Sequence, residues 1–282
     1  MDTAVHLEPV DYLVIGHLSH DITPDGPRLG GTVSYSGLTA HAFGLRVGVV
    51  TAFEQGIALG SLDGISVVSS PSERTTTFEN VPTADGRKQY VHHVASPILL
   101  DSVPDIWRRT PIIHIGPIVN EVEMRLDLGF SPALLGLTPQ GWLRCWNSSG
   151  YVTPCSWPDA ETALHHAGAA VISVEDVNGD EEQIEKMAFM SEILAVTEGP
   201  AGVRLYWNGD LRHFHAPEMD EVDATGAGDI FAAAFFIRLY TTRDPWEAAR
   251  FATQISARSV IRPGLAGIPT PEEVQTCLVE VL

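Results

Sequence analysis

Short runs of aliphatic and β-branched residues recur along the chain and alternate with segments of helical periodicity. This alternation is typical of βαβ units around a parallel sheet. The runs are apolar at nearly every position, as expected for strands that helices cover on both faces. Candidate core strands are residues 12–15, 47–50, 112–115, 133–137, 169–174 and 193–197. The pattern predicts an α/β fold.

Helix signals lie between these runs. Residues 34–43 have a helical pattern that ends before Gly44, a typical C-cap residue, and Asp180 is placed to cap the helix that contains Glu185 and Met187. Asp244 and Thr270 each precede a proline and have an acid three positions on, which marks a helix start. We therefore predict helices that begin at residues 245 and 271.

Two polar segments interrupt the alternation. Residues 21–29 contain an Asp-Gly turn at position 25, and residues 74–94 place strand-like flanks around a second one at Asp85. We expect lid hairpins at about 19–31 and 72–95, inserted in a single domain of residues 1–282. They would cover a cleft, and two surface hairpins without that role are the alternative. A further hairpin is predicted around Asn208-Gly209.

Composition and charge limit the partners. The chain has 282 residues, 44% of them hydrophobic and 19% charged, which is typical of a folded domain with a substantial core. A formal charge of -19 would repel nucleic acid and anionic membrane surfaces, so neither is an expected partner. An anionic nucleotide could still bind where backbone amides and a metal ion supply positive charge.

The cysteines suggest a compartment. Cys145, Cys155 and Cys277 show no CxxC spacing, and any pairing leaves one over, which argues against a disulfide framework and for reducing conditions. The N-terminus has no basic segment followed by an apolar core, and the most apolar stretch, residues 231–237, is too short to cross a bilayer. We expect a cytoplasmic protein.

Residues 223–229, Asp-Ala-Thr-Gly-Ala-Gly-Asp, join a glycine turn to a helix that is apolar on every side. Free amides at a helix N-terminus bind anions, and small residues let a phosphate come close. Phosphoryl transfer also needs a group that takes the proton of the acceptor hydroxyl, a role open to Asp229. The alternative is that Asp229 only caps the helix, but Asp223 and Thr225 add a second carboxylate and a hydroxyl to the same turn.

Two other nucleotide motifs are absent. The lysines are Lys88 and Lys186, preceded by Arg87 and Glu185, so the chain has no Gly-Lys-Ser/Thr phosphate loop. Phe231 stands where a dinucleotide fingerprint needs its third glycine. P-loop enzymes and Rossmann dehydrogenases are therefore excluded.

Residues 223–229 resemble the C-terminal signature of the PfkB, or ribokinase-like, family of carbohydrate and nucleoside kinases. Gly30-Gly31 resembles the family's di-glycine switch, and residues 197–202, Thr-Glu-Gly-Pro-Ala-Gly, are similar to its nucleotide-side Thr-x-Gly-x-x-Gly. The resemblance implies a three-layer α/β/α sandwich with a mostly parallel central sheet and a small β-sheet lid. It also implies ATP as the donor and Mg²⁺ bridging its phosphates.

The resemblance assigns roles by motif. The catalytic base and the anion hole would be Asp229, Gly226, Ala227 and Gly228. The nucleotide side would include Asp223, Thr225, Thr197, Gly199 and Gly202. The acceptor side would include Asp21, Gly30 and Gly31, because a carboxylate accepts two hydrogen bonds from a diol. An equal alternative for Asp21 is a structural role in turning its hairpin.

Some positions depart from the family pattern. Residues 173–176, Ser-Val-Glu-Asp, replace an Asn-x-x-Glu that organises magnesium, which leaves Glu175 and Asp176 as metal candidates. Thr32 to Tyr35 replace the usual small residue and Asn after the di-glycine, so the sugar-side contacts would differ. Residues 253–259 lie where the family lines its adenine pocket.

Residues 16–21 and 138–144 look closest to the myo-inositol kinase-like branch. Arg144 follows a core strand, at the sheet edge where ligands of α/β proteins bind, and would contact phosphate or substrate unless it is a solvated surface residue. The expected activity is ATP-dependent phosphorylation of a small sugar or polyol. The alternatives are a nucleoside kinase on the same fold and a catalytically silent sugar- or nucleotide-binding regulator. A homodimer through the lid is an assembly open to such a protein.

Overall fold

The computed structural model describes residues 7–83, 86–123 and 129–281. The strands of this part of the chain are β1 (Tyr12–Ile15), β2 (Ser19–Thr23), β3 (Gly26–Gly30), β4 (Val47–Glu54), β5 (Ser66–Ser72), β6 (Thr76–Thr83), β7 (Gly86–His93), β8 (Ile112–Ile115), β9 (Leu134–Leu137), β10 (Arg144–Trp146), β11 (Val152–Pro154), β12 (Ala169–Ser173), β13 (Ile193–Thr197), β14 (Val203–Trp207) and β15 (Asp210–Phe214). The α-helices are α1 (Thr32–Ala42), α2 (Ala160–His166), α3 (Glu181–Met190), α4 (Ala227–Thr242), α5 (Pro245–Ser259) and α6 (Pro271–Val281).

The central sheet has the strand order β15-β14-β13-β12-β9-β8-β1-β4-β5. Pairing is parallel from β13 to β5, and β14 and β15 add an antiparallel edge. The last two strands meet at Asn208 and Gly209, with φ of 53° and 79°. Positive φ at both positions matches the strand twist in a tight hairpin, which explains the Asn-Gly pair.

Helices cover both faces of the central sheet. Alternate residues of a strand point to opposite faces, so Tyr12 and Val14 join one buried cluster with residues of α1, α4, α5 and α6. Leu13 and Ile15 join the other, with Trp107 and residues of α2 and α3. The predicted three-layer α/β/α sandwich is confirmed, together with its mostly parallel sheet.

A separate four-stranded sheet, called the small sheet below, has the order β3-β2-β6-β7. It is built from the two segments in which hairpins are predicted. β2 pairs parallel to β6, and each of them pairs with its hairpin partner in antiparallel fashion. Since β2 follows β1 directly, the small sheet stands at the carboxyl edge of the central sheet. The predicted turn at Asp85 lies outside the described residues.

The predicted helix starts are confirmed by their caps. Asp180 accepts a hydrogen bond from the Gln183 amide at 3.1 Å, and Asp244 accepts from the Trp246 and Glu247 amides at 2.9 and 3.2 Å. Three strands were not predicted: β5, β10 and β11. β5 contains four serines and a proline without a long apolar run, a composition that an edge strand tolerates.

Cys145 and Cys155 form a disulfide with a Cα–Cα distance of 5.6 Å. The expectation of no disulfide is wrong, because the pairing of β10 and β11 brings Cys145 in β10 close to Cys155, which directly follows β11. Cysteine usage therefore gives no support for a reducing compartment. None of the helices in the described ranges is long and apolar enough to cross a membrane.

Candidate active site

A cleft of about 1430 Å³ opens at the carboxyl ends of the parallel strands, between the central sheet and the small sheet. Ligands of open α/β sheets bind at this edge. The cleft lining includes most of the site residues that the sequence predicts: Asp21, Gly31, Arg144, Glu175, Asp176, Thr197, Gly199, Gly202, Thr225, Gly226, Ala227, Gly228 and Asp229. Gly30 and Asp223 are not among the residues that line it.

Asp229 lies in the first turn of α4, at the floor of the cleft. The helix is held in place by its buried apolar side chains, among them Phe231 and Phe235. α1 fixes the aspartate from the other side: the Ser36 hydroxyl donates to the Asp229 carbonyl at 3.0 Å, and the Thr32 side chain hydrogen-bonds its carboxylate. The carboxylate therefore has a fixed position.

Burial raises the pKa of Asp229 to about 6. The hydrogen bond from Thr32 and the positive charge of Arg144 lower it, while the charges of Asp176 and Asp21 raise it further. A pKa close to neutral pH gives a carboxylate that is ionised in the cell yet more basic than an exposed aspartate. This combination suits a group that takes a proton from a hydroxyl.

Asp223 holds the glycine turn in place without lining the cleft. Its carboxylate accepts hydrogen bonds from the Thr225 and Gly264 amides, both at 2.9 Å. Burial alone would raise the pKa of Asp223, but these hydrogen bonds hold it below the usual value. Asp223 therefore stays ionised and fixes the loop that precedes α4.

Gly226 is the N-cap of α4 and has a φ of 81°, in the left-handed region. A Cβ atom at this position would overlap the ring of Tyr35, which lies directly against the turn. Glycine is therefore required here for both its backbone angle and its lack of a side chain. The Ala227 amide donates to the Ala224 carbonyl at 3.2 Å, whereas the Gly228 and Asp229 amides have no partner within the helix, which is an arrangement for binding an anion.

The turn between β13 and β14 forms one end of the cleft. Thr197, Gly199 and Gly202 all line it, and the Thr197 hydroxyl donates to the Ile172 carbonyl at 3.3 Å. Gly202 has a φ of 104°, and the Phe214 carbonyl occupies the place of a Cβ atom. Four apolar residues also line this end: Pro217, Met219, Ala257 and Val260. Two hydroxyl side chains, those of Thr253 and Ser256, line it next to them.

Glu175 and Asp176 lie at the carboxyl end of β12. Asp176 accepts hydrogen bonds from the Ser173 amide at 2.8 Å and from the Gln140 side chain at 3.2 Å, and burial raises its pKa. In the described ranges, no group of three or more His, Cys, Asp or Glu residues could hold a metal. Magnesium takes one or two carboxylates and fills its other positions with water and substrate phosphates, so the two acids fit such an ion.

The other end of the cleft lies beside the small sheet. The Asp21 carboxylate packs over Gly30, where a Cβ atom would lie 2.6 Å from the Asp21 Oδ2. Arg144 donates to the Ile118 carbonyl at 3.4 Å, and its guanidinium lies 5.8 Å from the centre of the Phe78 ring. Asp21 and Arg144 thus face the same part of the cleft.

Several residues of the site escaped sequence reasoning. Asn80 and Gln89 pair across β6 and β7, joined by a 3.0 Å hydrogen bond from the Gln89 amide, and both line the cleft. Phe78 and Tyr35 line it as well. No motif marks them, because each is positioned by strand pairing or helix packing. Thr32 could have been noticed as a hydroxyl in the first turn of a helix after two glycines.

The two ends of the cleft are far enough apart for two substrates. Asp21 follows β1, and Thr197 ends β13, which is four strands away in the sheet order. At the usual strand spacing this separation is roughly 19 Å. Because α4 contacts β8, β9 and β12, Asp229 stands between the ends. The Asp229 carboxylate therefore lies between the two ends of the cleft.

Known proteins resemble this chain in sequence and in fold. Residues 156–272 match the model of the pfkB family carbohydrate kinases. The resemblance to this family that residues 223–229 carry is therefore confirmed. The chain is 33% identical over 238 residues to a probable chloroplastic fructokinase-6 of Arabidopsis thaliana, a match that covers 75% of this chain and 62% of that protein. A match to the Bacillus subtilis ribokinase, 37% identical, covers 33% of this chain and 32% of that one.

Solved structures share the fold of this chain. A pyrophosphate-dependent kinase in the ribokinase family, complexed with a pyrophosphate analogue and myo-inositol, has a TM-score of 0.79 at 21% identity, with 94% of this chain and 99% of that chain covered. The Arabidopsis thaliana ribokinase complexed with ribose and ATP has a TM-score of 0.72 at 17% identity, with 96% and 99% covered. Both likenesses extend the ribokinase fold over nearly the whole chain.

Proposed function

We propose that this protein transfers the γ-phosphoryl group of ATP to a hydroxyl of a small sugar or polyol, with Asp229 as the general base. The observation that carries the proposal is the position of Asp229. Its carboxylate has a pKa of about 6 and stands beside the free amides of α4, between the two ends of one cleft. The family and the fold support the same activity.

In the proposed reaction the acceptor hydroxyl gives its proton to the Asp229 carboxylate as its oxygen attacks the γ-phosphorus. The bond from the γ-phosphorus to the bridging oxygen breaks, and ADP leaves with that electron pair. The amides of Gly226 to Gly228 stabilise the negative charge of the transferring group. Asp223, Thr32 and Ser36 hold the base and the amides in place.

Magnesium, when bound, would neutralise phosphate charge, and Asp176 with Glu175 would hold it. The small sheet is proposed as a lid that excludes water, since water at the γ-phosphorus would compete with the acceptor. Asp21 and the Asn80–Gln89 pair bring polar groups of that sheet to the acceptor end of the cleft. A polyhydroxylated ring suits these side chains.

The end of the cleft formed by the turn between β13 and β14 is the proposed donor end. It favours a nucleotide because apolar side chains lie next to hydroxyl groups there. Met219 and Val260 offer surface to an adenine ring, and Thr253 and Ser256 offer hydrogen-bonding groups. Pyrophosphate is a second candidate donor. A kinase named for that donor resembles this chain more closely, at a TM-score of 0.79, than the ATP-bound ribokinase does at 0.72.

The proposed function is tested by offering ATP or pyrophosphate with a panel of inositols, hexoses, pentoses and nucleosides. We expect ADP release that depends on the presence of a polyol or sugar. Acceptor-dependent phosphate release with pyrophosphate, without ADP release from ATP, would assign pyrophosphate as the donor instead. A preference for nucleosides would identify a nucleoside kinase, and no acceptor-dependent release with either donor would leave a binding protein.

The rate should fall in acid because of the pKa of Asp229. The carboxylate accepts a proton only when ionised, so kcat/KM is expected to drop about tenfold per pH unit below about pH 6. The pH profile of the free enzyme measures this directly, with circular dichroism as a check that the fold persists. A rate that stays constant down to pH 4.5 would contradict the proposed role.

Replacing Asp21 with asparagine should weaken the binding of the acceptor rather than that of the donor. Losing hydrogen bonds to a charged group costs about 1.5 to 3 kcal/mol, so the KM for the acceptor is expected to rise roughly 10- to 100-fold. Asp25→Asn is the matched control, since Asp25 lies in the same hairpin with its side chain 82% exposed. Equal effects of the two changes would mean that Asp21 only supports the turn.

A further inference from the structure

The hairpin of β10 and β11 carries Arg144 into the cleft and is closed by the Cys145–Cys155 disulfide. It is a separate two-stranded sheet with three registered residue pairs. An isolated two-stranded hairpin is marginally stable in water. The covalent bond between its strands is therefore a large part of what holds this segment in shape.

One end of the hairpin faces the reaction centre. Arg144 lines the cleft, and its charge lowers the pKa of Asp229, although burial raises that pKa overall. The same charge acts on Asp176. Arg144 is the residue next to Cys145 in β10, so the disulfide fixes the backbone from which the guanidinium extends.

The other end of the hairpin is attached to the small sheet. The Val91 amide donates to the Gly150 carbonyl at 2.8 Å, and Tyr151 forms a bridge with Tyr90, with ring centres 5.6 Å apart. Gly150 has a φ of 81°, and the Val91 carbonyl takes the place of a Cβ atom. Arg144 completes the contact by lying over the Phe78 ring. The hairpin thus joins the small sheet to the cleft floor.

We propose that the Cys145–Cys155 disulfide is a positioning element of the acceptor site, which makes phosphoryl transfer depend on oxidation of the hairpin. This inference rests on the proposed function. In the oxidised protein the hairpin holds Arg144 beside Asp229 and Asp176 and fixes the small sheet over the acceptor. Reduction leaves three pairs of strand residues and the non-covalent contacts of Gly150, Tyr151 and Arg144 to do this.

The chemistry of the switch is thiol–disulfide exchange with a dithiol. One thiolate of the dithiol attacks a sulfur of the pair, and the other cysteine leaves as a thiolate. The second thiolate of the dithiol then displaces the remaining cysteine, so two electrons pass to the protein and the dithiol becomes a disulfide. Cys145 is exposed and Cys155 is half-buried, whereas Cys277 is fully buried in α6. A reagent in solution reaches the hairpin pair first.

The test compares wild-type protein with the Cys145→Ser/Cys155→Ser double variant, each with and without dithiothreitol. We expect reduced wild type and the double variant to show an acceptor KM raised about tenfold or more, since small displacements in a site cost this much. The KM for the donor should change less. Reoxidation should restore wild-type kinetics, and dithiothreitol should not affect the double variant, in which Cys277 is still present.

Hydrogen exchange provides a readout that needs no activity. Reduction should increase exchange in residues 144–155 and in β7, and leave the amides of α4 protected. If this occurs in a protein without acceptor-dependent turnover, the disulfide still positions the hairpin and the small sheet, and it is the proposed function that fails. Identical acceptor KM and exchange in oxidised and reduced wild type would overturn the inference. Equal dithiothreitol effects on wild type and the double variant would overturn it as well.

Discussion

Asp229→Asn is expected to lower turnover by roughly two to four orders of magnitude, the usual contribution of a general base. Asparagine keeps the size of the side chain but cannot take the proton of the acceptor. The KM values should change little, because the fold of the turn and the amides of α4 remain. Steady-state kinetics with saturating donor and acceptor measure the effect.

The same change separates catalysis from capping. Gly226 is the N-cap of α4, so a structural role for Asp229 is limited to its charge in the first helical turn, worth about 0.3 to 1 kcal/mol, and predicts unchanged turnover. Asp244→Asn is the control, because Asp244 caps α5 through two backbone amides and does not line the cleft. Its turnover should match wild type. An Asp229→Asn variant that also matched wild type would remove Asp229 from the mechanism.

Gly226→Ala should lower both stability and activity. A left-handed backbone costs an L-residue about 1 to 2 kcal/mol, and a methyl forced against the Tyr35 ring adds roughly 1 to 3 kcal/mol. Relief of that overlap would displace the turn whose amides face the cleft. Denaturant unfolding gives the loss of stability, and kcat/KM gives the loss of transfer.

Gly228→Ala is the matched control in the same turn. Gly228 has no positive φ, and no described atom would lie within 4 Å of its Cβ. Stability should hold or increase slightly, since alanine favours helix over glycine by about 1 kcal/mol. The KM for the donor should rise because the methyl occupies cleft space beside the free amides. Equal losses of stability in the two variants would contradict the role of Gly226.

The fold was largely predictable because apolar runs and caps are local signals. β1, β8 and β13 lie where their continuous apolar sequences predict them, and Asp244 caps α5 because its side chain reaches two nearby amides. The polar edge strand β5 shows the limit. Its pairing partner, rather than its own composition, makes it a strand.

The site was predictable only where one short segment carries it. The sequence of residues 223–229 predicts the turn. The contacts that fix Asp229, however, come from Thr32 and Ser36, almost 200 positions earlier. The sequence also does not indicate that Asp223 accepts hydrogen bonds from the amides of Thr225 and Gly264. Such roles depend on which elements pack together, and no local pattern records them.

The disulfide is a second feature that local sequence patterns do not predict. An odd number of cysteines with no close spacing favours reduced thiols on average. Cys145 and Cys155 pair because a short hairpin places them side by side, which depends on the three-dimensional course of residues 144–155. Cysteine counts alone do not contain that information.

Transfer of the γ-phosphoryl label of ATP to a sugar or polyol tests the central claim most directly. Wild-type protein should produce labelled phosphate ester at a rate that depends on the acceptor, and Asp229→Asn should produce it at least about 100-fold more slowly. Label that appears only as inorganic phosphate, or ester formed at equal rates by both proteins, would contradict the account.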